Sequence, residues 1–193
     1  CRALGECRAE GLGCTTYDVD LTYCRDCTPG KRGLEHKCVS TGDVCTPAEV
    51  GHGLCQTSAS PSLHYVTYDS ERIPHVGSCK YQLTGACGGS TVPYFMVYVQ
   101  MGAAPGGGYR VEYVEQEVDV NTIRLYRGGI VSVNGANVTI PVTNRPEGYR
   151  VQRHTATYLS VLTDLGVTLL YDGKDKVMVM VPETFRSSLC GVC

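Results

Sequence analysis

Cysteine is distributed very unevenly along this chain. Ten of the twelve cysteines lie in the first 87 residues, and none lies between Gly88 and Leu189. The last two close the chain as Cys190-Gly191-Val192-Cys193. A cross-linked head, a long cysteine-free body and a two-cysteine end predict a clasp. The C-terminus should be tied back to the region where the body begins.

Zinc sites show two close cysteine pairs, or one pair followed by a histidine pair. Here the close pairs are Cys24/Cys27 and Cys190/Cys193, at opposite ends, with no histidine pair at ligand spacing. The pattern favours disulfides over zinc, and disulfides place a chain in an oxidising compartment, secreted or at the cell surface. No apolar run reaches the length of a membrane span. Beginning at Cys1 without a leader, the chain reads as a mature product or an excised fragment. The net charge is −2 with no basic block, so nothing recommends a nucleic-acid partner. One glycosylation sequon, Asn137-Val138-Thr139, fits secretion.

Residues 1–54 form one segment, rich in cysteine, glycine and polar residues. It cannot build much of a core, so its order must come from cross-links. We read it as a disulfide-stapled module with short strands at most and no helical periodicity beyond a turn near Pro47–Val50. Residues 55–193 differ. Short runs rich in Val, Thr, Tyr and Ile follow one another between turn residues, as strands require. They include 64–68, 79–83, 94–100, 109–114, 117–120, 122–126, 130–133, 138–140, 149–152, 158–162, 167–171 and 177–181. The last run is apolar on both faces, which predicts a central, covered strand. Arg127-Gly128-Gly129, Asn134-Gly135 and Asp172-Gly173 are hairpin turn signals. Many short strands without helices predict an all-β antiparallel sandwich or double sheet. The glycine-rich stretch 102–108 is a loop between strands. No helix follows it to receive a phosphate.

Several elements in order resemble the von Willebrand factor type D family over residues 55–193. Cys55 is followed by Leu63-His64-Tyr65-Val66-Thr67-Tyr68-Asp69, similar to the family's opening segment. Gly77-Ser78-Cys79-Lys80-Tyr81-Gln82-Leu83 with Cys87 comes next. Val131-Ser132-Val133-Asn134-Gly135, Leu165-Gly166-Val167 and Tyr171-Asp172-Gly173 match middle hairpins, and Cys190-Gly191-Val192-Cys193 matches the closing motif. The resemblance implies disulfides Cys55–Cys193 and Cys87–Cys190. In the family, the cysteine at the place of Cys79 pairs into an eight-cysteine module that follows. With Cys55 committed, the head holds seven cysteines, and Cys79 makes eight. Parity therefore predicts a disulfide from Cys79 to the head, with a free or intermolecular Cys79 as the alternative.

The family's self-cleaving Asp-Pro bond is replaced by Ser60-Pro61-Ser62-Leu63, so no such cleavage is expected. Family members often bind calcium, and Asp69 matches one of those ligands. The others would lie beyond Cys193, and a hard cation wants six or more oxygens. No other cofactor is expected. His64 is read as structural, since no nucleophile with a positioned base and acid is evident. The carboxylate pairs Asp18/Asp20, Glu115/Glu117 and Asp172/Asp175 read as solvated strand edges and turns. Thirteen tyrosines, against two phenylalanines and no tryptophan, mean either half-buried strand packing or a sticky β-surface.

The resulting expectation is a secreted, extracellular, non-enzymatic protein of assembly or adhesion, partnered by other secreted proteins or by itself, with an N-glycan at Asn137. Three other readings stay open. A luciferase-like oxidase of a small luciferin rests on fold analogy alone. A pigment or lipid carrier would hold its cargo between layers. A protease inhibitor or toxin would reside in the stapled head.

Overall fold

The computed structural model describes residues 63–75, 77–89 and 91–193, the side chains of 53–57, and the backbone of five strands before residue 59. Four of those strands form two small hairpins. β1 (Thr16–Tyr17) pairs with β2 (Cys24–Arg25), and β3 (His36–Val39) with β4 (Val44–Pro47), placing Cys38 opposite Cys45. The cysteine connectivity of the head, the turn expected after Pro47, the Asp18/Asp20 pair and the side chains of His36 and His52 lie outside the described residues. The chain divides into two units, one of residues 1–52 with 154–157, the other of 53–153 with 158–193.

The second unit is a double sheet. β5 (His52–Ser58), β6 (His64–Val66) and β7 (Arg72–Pro74) open it in one sheet. The chain then crosses to the other sheet for β8 (Lys80–Ala86), β9 (Phe95–Ala103), β10 (Tyr109–Val118), β11 (Asn121–Tyr126), β12 (Val131–Val133) and β13 (Ala136–Asn137). It returns for β14 (Val142–Asn144), β15 (Tyr149–Arg153), β16 (Leu159–Thr163), β17 (Thr168–Tyr171) and β18 (Val177–Pro182). A 3-10 turn, Glu183–Phe185, carries it back, and β19 (Leu189–Cys190) ends it. The sheets are seven-stranded, β13-β12-β11-β10-β9-β8-β19, and eight-stranded, β14-β15-β16-β17-β18-β5-β6-β7.

Alternation builds the core. On β9, Phe95, Val97, Val99 and Met101 point inward while Met96, Tyr98 and Gln100 point out. Ile123 and Leu125 do the same on β11, and Val177, Val179 and Val181 of β18 belong to the same buried cluster. Each such side chain contributes about 1.5–3 kcal/mol by leaving water. Phe185 anchors the last crossing, meeting Phe95 edge to face at 5.3 Å. β18 is also buried on its other face through Met178 and Met180, and lies between β17 and β5, as its two-sided apolar pattern predicts. The core is not wholly apolar. Gln116 lies between Val97 and Ile123, fully buried, and neither end of its carboxamide has a hydrogen-bond partner.

Turn residues act as expected at two sites. Asn134 and Gly135 both have positive φ, 50° and 83°, the two-residue turn whose twist matches its strands. Gly128 and Gly129 close the β11–β12 turn. Asp172-Gly173 makes a wider loop instead, because the Asp172 carboxylate accepts the N–H groups of Lys174 and Lys176. Two expected strands, 109–114 and 117–120, are one. β10 runs through a bulge at Glu112 to Val118, and Asp119-Val120 is a tight turn rather than strand. Residues 138–140 are not strand. Pairing with β12 falls to Ala136–Asn137, and a cis Ile140–Pro141 bond follows.

Candidate interaction surface and disulfide clasp

The clasp joins the sheets at the end of the chain. β19 lies antiparallel to β8, with Cys190 opposite Gly85. The Val192 and Cys193 N–H groups then donate to the Gln82 and Leu83 carbonyls at 3.1 and 2.9 Å. Cys55 sits buried on β5 of the other sheet and bonds Cys193, with Cα atoms 5.8 Å apart. This disulfide is a staple between sheets. Cys87, just past β8, bonds Cys190, with Cα atoms 5.1 Å apart, and fastens the edge strand to its neighbour. Both implied pairings are therefore present. In the chain-entropy picture, closing the 138-residue loop is worth about 5 kcal/mol. The nested loop adds less, since its ends are already restrained.

Gly191 makes the clasp possible. Its φ is +136°, and an added Cβ would sit 2.4 Å from the Leu83 carbonyl oxygen. Only glycine lets the chain lie this close to β8.

Cys79 is exposed and carries a free thiol, the alternative to a disulfide with the head, whose cysteines lie outside the described residues. The Cys79 carbonyl accepts from the Met101 N–H, which holds the main chain to β9 while the side chain faces outward.

The opposite ends of two hairpins meet at a polar latch. Arg127 donates through Nη1 to Asp175 Oδ1 at 2.8 Å and to the carbonyls of Val111 and Lys174. Asp175 Oδ1 also accepts the Val111 N–H. Gly128 N–H donates to the Gly173 carbonyl. Thr57 Oγ1 donates to the Asp175 carbonyl and accepts the Val177 N–H, linking β5 to the same loop. Burial alone would raise the Asp175 carboxyl. The Arg127 guanidinium and the Val111 N–H outweigh it and hold the group below its usual value. Asp175 is thus a structural group, not the solvated turn residue expected.

The outer face of the seven-stranded sheet gathers the other polar residues. Register sets Ser132, Arg124, Glu115, Tyr98 and Gln82 side by side across five strands. A parallel row holds Tyr126, Tyr113, Gln100 and Lys80. Glu115 is only 1% exposed, a second correction to the solvated reading of Glu115/Glu117. One of its oxygens takes Lys80, and the other takes Arg124 Nε at 2.5 Å. Burial pushes this carboxyl up, but the two cations overcome that and lower it. Lys80 also lies 4.2 Å over the Tyr98 ring, and Arg124 5.4 Å from the Tyr113 ring, which packs against Tyr126. Tyr94 donates to Glu117 at 2.6 Å. That carboxylate, then burial, pushes the phenol up to about 12.

A sequence signal for this cluster exists. A two-residue turn at Asp119-Val120 fixes Glu115 opposite Arg124 by counting alone. The turn lacks glycine, so it reads as strand. Other expected residues stay apart. His64 is buried on β6, between β5 and β7. Asn137 is exposed on the edge strand β13. Asp69 is exposed in the turn after β6, and among the described residues no group of three or more His, Cys, Asp or Glu could hold a metal. No helix of the described residues is long and apolar enough to cross a membrane.

Fold and cross-links together define a disulfide-locked antiparallel double-sheet module. The chain belongs to the von Willebrand factor type D domain family, whose model matches residues 55–193. It is 31% identical to human IgGFc-binding protein over 98% of this chain and 4% of that protein. Mouse SCO-spondin is 31% identical over 79% of this chain and 3% of that protein. Mouse zonadhesin is 30% identical over 86% and 3%. The chain thus spans only a few per cent of the length of these relatives.

Proposed function

We propose that this protein is a non-catalytic extracellular module of adhesion or assembly, presenting a rigid β-surface to another secreted protein or to itself. The observation that carries this reading is the outer face of the seven-stranded sheet. There Tyr94, Tyr98, Tyr113 and Tyr126 stand on a scaffold held by two disulfides and pinned by buried Glu115. Tyrosine and arginine are the residues enriched where proteins bind proteins. A pre-ordered face loses little conformational entropy on binding.

The sheet edges direct contact to the faces. β13 and β19 have two residues each, and β14 has three. β7 ends at Pro74, which has no N–H to offer a further strand. Two relatives are named for such roles, one for binding IgG Fc and one for adhesion. The disulfides support an oxidising, extracellular compartment, and exposed Asn137 supports a glycan there.

Native mass spectrometry of the purified chain, alone and after mixing with extracellular proteins of its source, tests the reading. A discrete complex or self-assembly is expected, with a glycan mass on the Asn137 peptide. A monomer that captures nothing would overturn the reading.

A further inference from the structure

Asn137 is the end residue of a row that crosses the tyrosine face. It lies opposite Ser132 on β12, and the row continues through Arg124, Glu115 and Tyr98. Directly opposed residues of antiparallel strands share a face. Val138, the next residue, packs against the core, so alternation also turns Asn137 outward. The Val138 N–H donates to the Val131 carbonyl at 3.0 Å, which ties this stretch to the sheet. The sequon therefore stands on the sheet itself, exposed at both Asn137 and Thr139.

The outward groups beside Asn137 are apolar. Ile130 precedes inward-facing Val131, so it faces outward, and it is 55% exposed. Its carbonyl accepts the Tyr126 N–H at 2.8 Å, which sets the two residues opposite each other. The Ser132 hydroxyl, then the Arg124 guanidinium, hold the Tyr126 phenol below its usual value, so its oxygen lies towards the cross-strand partner of Asn137. Two cations of the face lie at other rings, Lys80 over Tyr98 and Arg124 beside Tyr113. A pyranose presents a C–H face and its acetamido group a methyl, which suit an aromatic ring and an exposed isoleucine. A glycan projecting off the free edge of β13 would leave both in water. From β13 to β11 is two strand spacings, about 10 Å, within reach of the innermost sugars, while Tyr98 on β9 lies about 19 Å away.

We propose that an N-glycan on Asn137 lies along the outer face of the seven-stranded sheet, over Ile130 and Tyr126. It closes that end of the face and leaves Tyr94, Tyr98 and Lys80 as the part open to a protein partner. Occupancy of one sequon then sets how much of the tyrosine face a partner can use. This inference rests on the extracellular reading above, because the secretory route attaches such a glycan.

The test uses the full chain, secreted from glycosylating cells, beside Asn137→Gln and Thr139→Ala, which remove the sequon at different residues. Hydroxyl-radical labelling read by peptide mass spectrometry reports side-chain exposure. Tyr126 and Ile130 should label about twofold faster, or more, in both variants, while Tyr94 and Tyr98 stay unchanged. Enzymatic release of the glycan from folded wild type gives the same comparison should a variant misfold. An unmodified Asn137 would overturn the proposal. So would equal labelling of Tyr126 and Ile130 with and without the glycan, or equal protection of Tyr94 and Tyr98. These readouts need no partner. If they fail while native complexes with extracellular proteins persist, only the glycan inference falls. If labelling behaves as expected and no complex forms with any protein, the glycan placement stands and the binding reading falls.

Discussion

Arg127 and Asp175 join the two sheets at their hairpin ends, Nη1 to Oδ1 at 2.8 Å, across 48 residues of sequence. The same carboxylate takes the Val111 N–H beside the β10 bulge, so one acidic group fastens three segments. Arg127→Met should therefore cost about 1–2 kcal/mol, the net worth of a few hydrogen bonds discounted for partial exposure. Urea denaturation of the two proteins checks this. Equal midpoints would show the latch to be idle.

Glu115 should make stability depend on pH. Its folded value is depressed by Lys80 and Arg124 against the pull of burial. A depressed carboxyl contributes fully above its unfolded value, about 4.3, and the contribution is lost as pH falls through the folded value. Glu115→Gln should be less stable at neutral pH by about 2 kcal/mol. Its stability should also fall less on acidification below about pH 4. Parallel acid slopes for the two proteins would contradict this.

Gly191→Ala should disrupt the clasp. The new Cβ meets the Leu83 carbonyl, and φ lies where only glycine rests easily. A loss of roughly 2–3 kcal/mol is expected from strain and displacement. Thermal denaturation reads the loss, and thiol counting shows whether Cys190 and Cys193 still pair.

Gln116→Met should stabilise the protein. The buried carboxamide lacks partners, and methionine fills a similar volume without polar atoms. A gain of about 1 kcal/mol follows from the desolvation penalty removed. A destabilised variant would mean that the carboxamide is satisfied in solution.

Cys79 should react with iodoacetamide in the folded, unreduced protein, since its thiol is free and exposed. Peptide mapping would show one carbamidomethyl group there. A Cys79 peptide linked to a head peptide would restore the parity expectation instead.

Period-2 alternation is local, so the body's strands are legible residue by residue, down to the two-sided burial of β18. Asn134-Gly135 is legible for the same reason, because a positive φ at both positions is a property of those two residues. Glu115 shows where local reading stops. Its own strand marks it as outward and solvated. It is buried because Lys80 arrives from β8, two strands away, and Arg124 from β11. Asp175 is similar, since its partner belongs to a turn of the opposite sheet.

The uneven cysteines, with the family resemblance they led to, determined both disulfides of the clasp and the all-β class of the body. Only the tertiary structure decided that Cys55–Cys193 bridges two sheets, that Cys79 stands free, and that four tyrosines share one face with a buried ion cluster. The physical reason is range. Alternation, turn chemistry and cysteine order act along the chain. Burial, charge pairing and surface composition depend on which strands become neighbours and in what register.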